Sequence, residues 1–132
     1  MSSVVSRVLA GELPGRVVLS DDRCAALLTI APVRPGHVLV VPRREVDEWT
    51  DLDADTAAHL IVTAQRVGVA VKEVTGARRV ALVVAGFEVP HVHLHVMPAD
   101  DMADLDFGRA DPAPDPAALD AMAARLRTAL GA

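Results

Sequence analysis

Aromatic side chains are almost missing from this 132-residue chain, which has two Phe, one Trp and no Tyr. Its core must be built from Val, Leu, Ile and Ala. The supply is ample, because 52% of the residues are hydrophobic. That is enough to fill one ordinary domain, the size this length implies. Cysteine is nearly missing too. The single Cys24 rules out a disulfide framework within the chain and a zinc site built on cysteines. Lysine occurs once against twelve arginines, a balance that reads as coding bias. The net charge is −5 and the acids are dispersed. A general nucleic-acid surface would want a basic face, so none is expected. A small anionic substrate is still allowed, since a few local donors suffice for one phosphate. No apolar stretch approaches the roughly 20 residues needed to span a bilayer. The opening "MSSVVSRVLAGELPG" lacks the basic start and long apolar run of a signal peptide. The expectation is a cytoplasmic protein with no membrane partner.

What is present reads as one α+β domain over residues 1–132. Ser2 or Ser3 caps a short helix ended by Gly11, with Val5, Val8 and Leu9 as its apolar stripe. "RVVLS" and "RCAALLTI" form a hairpin turned at Asp21-Asp22. "APVRPG" breaks the pattern, and "HVLVVP" is a buried strand stopped by Pro42. From Asp53 to Val74, apolar residues recur at spacings of three and four, a long helix that Gly76 stops. "RVALVV" and "VPHVHLHVMP" read as two further strands, followed by an acidic loop holding Asp100, Asp101, Asp104 and Asp106. Asp115 caps a final helix that Pro116 opens, with Leu119, Met122, Leu126 and Leu130 as its stripe. Short connections favour antiparallel pairing, in a sheet of about five strands with the long helix and the C-terminal helix.

Three of the five histidines fall in "PHVHLHVMP". Successive strand residues point to opposite faces, so His91, His93 and His95 share one face and Val92, Leu94 and Val96 the core face. The histidines then line solvent or a cleft. A metal is one use for them. His91 and His95 are about 13 Å apart at their backbones in a strand, too far for all three rings to meet one ion. A pair joined by His37, His59 or Glu88 could do so. The other use is a row with divided labour, in which the central imidazole attacks phosphorus and its neighbours hold the negative charge. A neutral imidazole is a competent nucleophile near neutral pH.

"HVHLHVMP" matches the His-x-His-x-His-x-x pattern of the histidine triad family of nucleotide hydrolases and transferases. The resemblance extends over about residues 5 to 130. "AGELPGRVVLSDDRCAALLTIAPVRPGHVLVVPRR" resembles that family's N-terminal half, and "LDFGRAD" with the last helix resembles bacterial members. The resemblance implies that His93 is the nucleophile on an α-phosphorus. It gives His91 and His95 the phosphate oxygens or the positioning of the array, and puts His37 of "PGH" behind them. It places Gly86 beside the phosphate and makes Val4, Val5, Val8, Leu27 and Ile30 the walls of an apolar nucleoside slot. No cofactor or metal is needed for the nucleophilic step. Thr29 stands where the family usually has an acid for the ribose, and Glu88 where it often has Ser or Thr near the leaving group. The loop before the triad is shortened to "VVAGFE". These changes leave room for a substrate other than a standard purine nucleotide.

The implied activity is hydrolysis at the α-phosphate of a nucleotide conjugate such as a nucleoside phosphoramidate. The alternatives are dinucleoside polyphosphate hydrolysis, nucleotidyl transfer, or a non-catalytic nucleotide- or metal-binding module. The implied partners are a small nucleotide and a second copy of the chain. Arg43 and Arg44 read as solvated, Trp49 as packing near a helix start, and Cys24 as a small core residue.

Overall fold

The Asp21-Asp22 turn joins β1 (Val17–Ser20) to β2 (Cys24–Leu28). It is held by Asp21, whose Oδ1 accepts the backbone N–H groups of Arg23 and Cys24, each at 2.8 Å. From this hairpin the sheet grows to five antiparallel strands in a computed structural model that describes residues 3–131. β3 (Val38–Pro42) pairs with β2, β5 (Leu94–Ala99) with β3, and β4 (Arg79–Val83) with the far side of β5. The spatial order is β1-β2-β3-β5-β4, which leaves β1 and β4 as the edges. The α+β class and the five-stranded sheet expected from the sequence are both present.

Every residue of β2 is buried, because both faces of the sheet are covered. On one face Cys24, Ala26, Leu28, Val38, Val40, Leu94 and Val96 pack against α2 (Ala54–Thr75) and α3 (Pro116–Leu130). On the other, Ala25, Leu27 and Val41 form a smaller cluster under α1 (Val4–Leu9), with Val5 as its buried contact. The helix ends follow local chemistry. Ser3, Asp53 and Asp115 cap the three N-termini with their side chains, and Gly76 and Gly131 close α2 and α3 in the left-handed region. Helix α1 stops at Leu9, two residues before Gly11. Ser2, the other candidate cap, lies outside the described residues.

The acidic loop is more ordered than its composition suggests. Two 3-10 turns, Met102–Leu105 and Phe107–Arg109, are capped by Asp101 and Asp106. Arg34 ties them to the "APVRPG" loop through Asp100 at 3.1 Å and Asp104 at 2.9 Å. Trp49 opens a third 3-10 turn ahead of α2 and is half exposed.

The strand expected over residues 89–98 starts late. β5 begins at Leu94, so only His95 of the three histidines belongs to the sheet. The pairing with β3 ends at Val40↔Leu94. Beyond it the ladder gives way to an isolated backbone bond, from the N–H of Val92 to the carbonyl of Val46. The alternation of side chains survives this change: Val92, Leu94 and Val96 are all buried in the main core.

Candidate active site

Aligned residues across the sheet make a row that runs Val17, Leu27, Leu39, His95, Val83. The face covered by α1 is thus apolar over β1 to β3 and becomes imidazole at β5. His93 lies beside His95, the ring centroids 5.0 Å apart and the planes at 69°. His37, just ahead of β3, comes to the other side of His95 at 5.1 Å.

The hydrogen bonds fix the proton on each ring. The backbone N–H of Val33 donates to Nδ1 of His37 at 3.2 Å, so a neutral His37 carries its proton on Nε2. That Nε2–H donates to Nδ1 of His95 at 2.9 Å. His95 is left with its proton on Nε2, as a donor directed away from His37. His93 is set the opposite way. Its Nδ1–H donates to the carbonyl of His91 at 2.7 Å, which leaves a lone pair on Nε2. Two neighbouring rings therefore offer one nucleophilic nitrogen and one N–H donor. Burial pushes His37 down to about 3 and, with the like charge of His93 as a smaller cause, His95 down to about 4. Both rings are neutral at physiological pH.

His91 is different. The expected row would open all three rings to solvent or a cleft, but His93 is only 8% exposed and His91 0%, and both nitrogens of His91 are engaged. Nε2–H donates to the carbonyl of Pro42 at 2.7 Å, and Nδ1 accepts from the hydroxyl of Ser3 at 2.8 Å. Ser6 donates its hydroxyl to Glu45 at 3.0 Å, and the backbone N–H of Ser3 also donates to that carboxylate. His91 thus ties the start of α1 to the end of β3. Burial holds its pKa below the ordinary histidine value.

The remaining expected residues scatter around this centre. Val5 and Leu27 are buried in the cluster under α1, with Val8 and Leu39 packed against it. Val4 and Ile30 are exposed, the latter by 73%. Thr29 lies at the end of β2, where its hydroxyl accepts the N–H of Ala31. Gly86 has φ +83°, a left-handed value, in the loop between β4 and β5. Glu88 is exposed on the same loop. Arg43 and Arg44 are exposed, and Arg43 donates to the carbonyl of Asp21. His59 pairs with Asp21 and so does not join the triad histidines, which removes it from the expected metal pairings.

Sequence reasoning missed three contributors. Ser3 and Ser6 are spaced to lie on one side of α1, a signal that points to no partner by itself. Phe107 sits on the last 3-10 turn with its ring edge-on to His95 at 4.7 Å and to His37 at 6.2 Å. It lies in "LDFGRAD", a segment that resembles bacterial members but gives the ring no role by itself.

The HIT domain family profile matches residues 10–102. The chain is 38% identical over 106 residues to the bifunctional bis(5'-adenosyl)-triphosphatase/adenylylsulfatase FHIT of Arabidopsis thaliana, a match covering 74% of this chain and 59% of that one. It is 33% identical over 103 residues to an uncharacterized HIT-like protein of Mycobacterium tuberculosis, covering 74% of this chain and 72% of that one. Among solved structures, a zinc-bound histidine triad family protein from Mycobacterium smegmatis superposes with a TM-score of 0.83 at 28% identity, covering 99% of this chain and 94% of that one. A Hit-like protein from Bartonella henselae reaches 0.86 at 24% identity, covering 97% and 96%, and speaks for the fold alone.

Proposed function

Since the chain belongs to the HIT domain family, we propose that it hydrolyses nucleotide conjugates at the α-phosphate through a nucleotidyl intermediate on His93. The observation that carries this reading is the opposed protonation of the two neighbouring rings, with a lone pair on His93 Nε2 and a proton on His95 Nε2. In the first step His93 Nε2 forms a bond to the α-phosphorus. The bond to the leaving group breaks, and that group departs with the electron pair and takes up a proton from solvent. In the second step water adds to phosphorus and gives a proton to solvent, the P–N bond breaks with its electron pair returning to His93 Nε2, and the nucleoside monophosphate leaves. His95 donates Nε2–H to a non-bridging oxygen in both steps. His37 holds His95 in the donor tautomer, and His91 holds the segment through Ser3 and Pro42.

The slot over β2 and β3, with Val5, Val8, Leu27 and Leu39, takes the nucleoside, and Ile30 and Val4 form its open rim. Thr29 is its neutral ribose partner, Gly86 lets the loop backbone approach the phosphate, and Glu88 stands toward the leaving group. Nucleoside phosphoramidates are the first substrate class. Dinucleoside polyphosphates are the second, favoured by the Arabidopsis relative that is named a bis(5'-adenosyl)-triphosphatase. The reading includes a cytoplasmic location. It also includes a homodimer joined along β4, supported by that strand's place at the sheet edge and by exposed Leu82, Ile61 and Val69 along the groove between β4 and α2.

The test is intact-protein mass spectrometry of wild type and His93→Ala, quenched during reaction with an adenosine phosphoramidate without acid. Wild type should carry a nucleotidyl adduct and release nucleoside monophosphate. His93→Ala should show neither, with an unchanged circular dichroism spectrum. Turnover retained by a folded His93→Ala protein would overturn the assignment.

A further inference from the structure

Away from the histidine row, at the tip of the β1–β2 hairpin, three side chains of different kinds converge. His59 on α2 and Asp21 in the turn meet at 2.8 Å between Nε2 and Oδ2. The Sγ of buried Cys24 lies 3.8 Å from the same carboxylate oxygen. One ligand atom from each residue falls within 4.8 Å of the other two. We propose that Asp21, Cys24 and His59 form a binding site for a divalent transition metal of the zinc class, which clamps the hairpin tip to α2.

The donor set is a thiolate, an imidazole and a carboxylate, each a zinc ligand, and three protein ligands leave a fourth position for water. The spacing fits. Tetrahedral bonds of the usual zinc lengths put nitrogen and oxygen ligands about 3.3 Å apart, and sulfur and oxygen about 3.5 Å apart. The observed separations of 2.8 and 3.8 Å lie within about half an ångström of those values. The carboxylate is already aimed. Its Oδ1 is fixed by two backbone N–H groups, which turns Oδ2 toward His59. Access is open, because the His59 and Asp21 side chains are 28% and 42% exposed while Cys24 forms the floor. On binding, the thiol of Cys24 loses its proton to solvent as the metal–sulfur bond forms, and His59 moves its proton to Nδ1 to free Nε2. The single cysteine, which by itself makes no zinc site, is completed here by residues from a turn and a helix.

The experiment is a titration of chelator-treated full chain with Co2+ as an optical stand-in for Zn2+, on wild type, Cys24→Ser, His59→Gln and His93→Ala. Wild type should bind one cobalt with a thiolate-to-metal charge-transfer band and tetrahedral visible bands, which added Zn2+ abolishes. Cys24→Ser should lose the charge-transfer band, and His59→Gln should weaken binding roughly tenfold or more. His93→Ala should keep both. Zn2+ should raise the Tm of wild type and His93→Ala clearly more than that of His59→Gln, a change at a part-exposed side chain that keeps the comparison available should Cys24→Ser fail to fold. Absence of the charge-transfer band in wild type would overturn the proposal, as would a spectrum lost in His93→Ala.

Discussion

His37 and His95 are the residues whose chemistry is most altered by their surroundings. Unfolded, each titrates near 6.5, whereas in the fold they lie at about 3 and about 4. Between those limits the unfolded chain binds protons that the folded chain does not. Stability therefore falls as pH drops below about 6.5, by up to about 1.4 kcal/mol per pH unit for each histidine, and continues to fall toward about pH 4. In His37→Gln one of these protons is removed. Urea unfolding at stepped pH should give a slope shallower by about one proton between roughly pH 6 and 4.5. An unchanged slope would mean that the buried ring at position 37 is not held neutral. Phe107 bears on the same ring pair by covering the edge of His95. In Phe107→Ala, water reaches His95, and its pKa should climb from about 4 toward the free value. An NMR titration of the imidazole carbons reads this directly, and no movement would show that Phe107 does not supply the burial.

Among the elements, α2 carries a glycine in its buried middle. Gly68 sits where the helix meets the sheet, and a Cβ built there would lie 3.5 Å from Val80 Cγ1 and 3.8 Å from Val96 Cγ1. Those are ordinary contacts, so Gly68→Ala keeps the packing and removes the glycine penalty. Its unfolding free energy should rise by about 0.5–1 kcal/mol in denaturant titrations. A loss would mean that the helix cannot give way even slightly at Val80. Helix α2 was legible in the sequence because its signals are local: a cap at Asp53, a three–four spacing, and a stop at Gly76. The start of β5 was not. "VPHVHLHVMP" alternates from end to end, but a strand also needs a partner, and the pairing with β3 ends at Val40↔Leu94 although β3 itself runs on to Pro42 beside β2. Alternation tells which way side chains point, and it does not tell where a ladder ends.

At the scale of the molecule, the sheet is open at β4, and Leu82 on that strand is exposed. If two copies join there, Leu82→Glu should place a charge in the seam and convert a dimer to single chains by light scattering after size exclusion. A wild-type protein of one chain mass would end that part of the reading. The sequence also made the histidine-bearing face visible, through "HVHLHV" and the "PGH" preceding β3. It could not make visible which nitrogen holds each proton, nor the tie from Ser3 to His91. Those depend on pairs 58 and 88 residues apart, brought together only when β3, β5 and α1 have assembled.

The row from Val17 to Val83 gives the molecule an internal gauge. His95 stays on the face that α1 covers only while its strand keeps its register with β3, because a slip of one residue would turn the ring into the main core and bring Leu94 or Val96 to that face. A mispaired chain is thus marked as well as unstable. The bond from His37 Nε2–H to His95 Nδ1 forms only in the correct register, so the imidazole resonances of His95 would count correctly registered sheets.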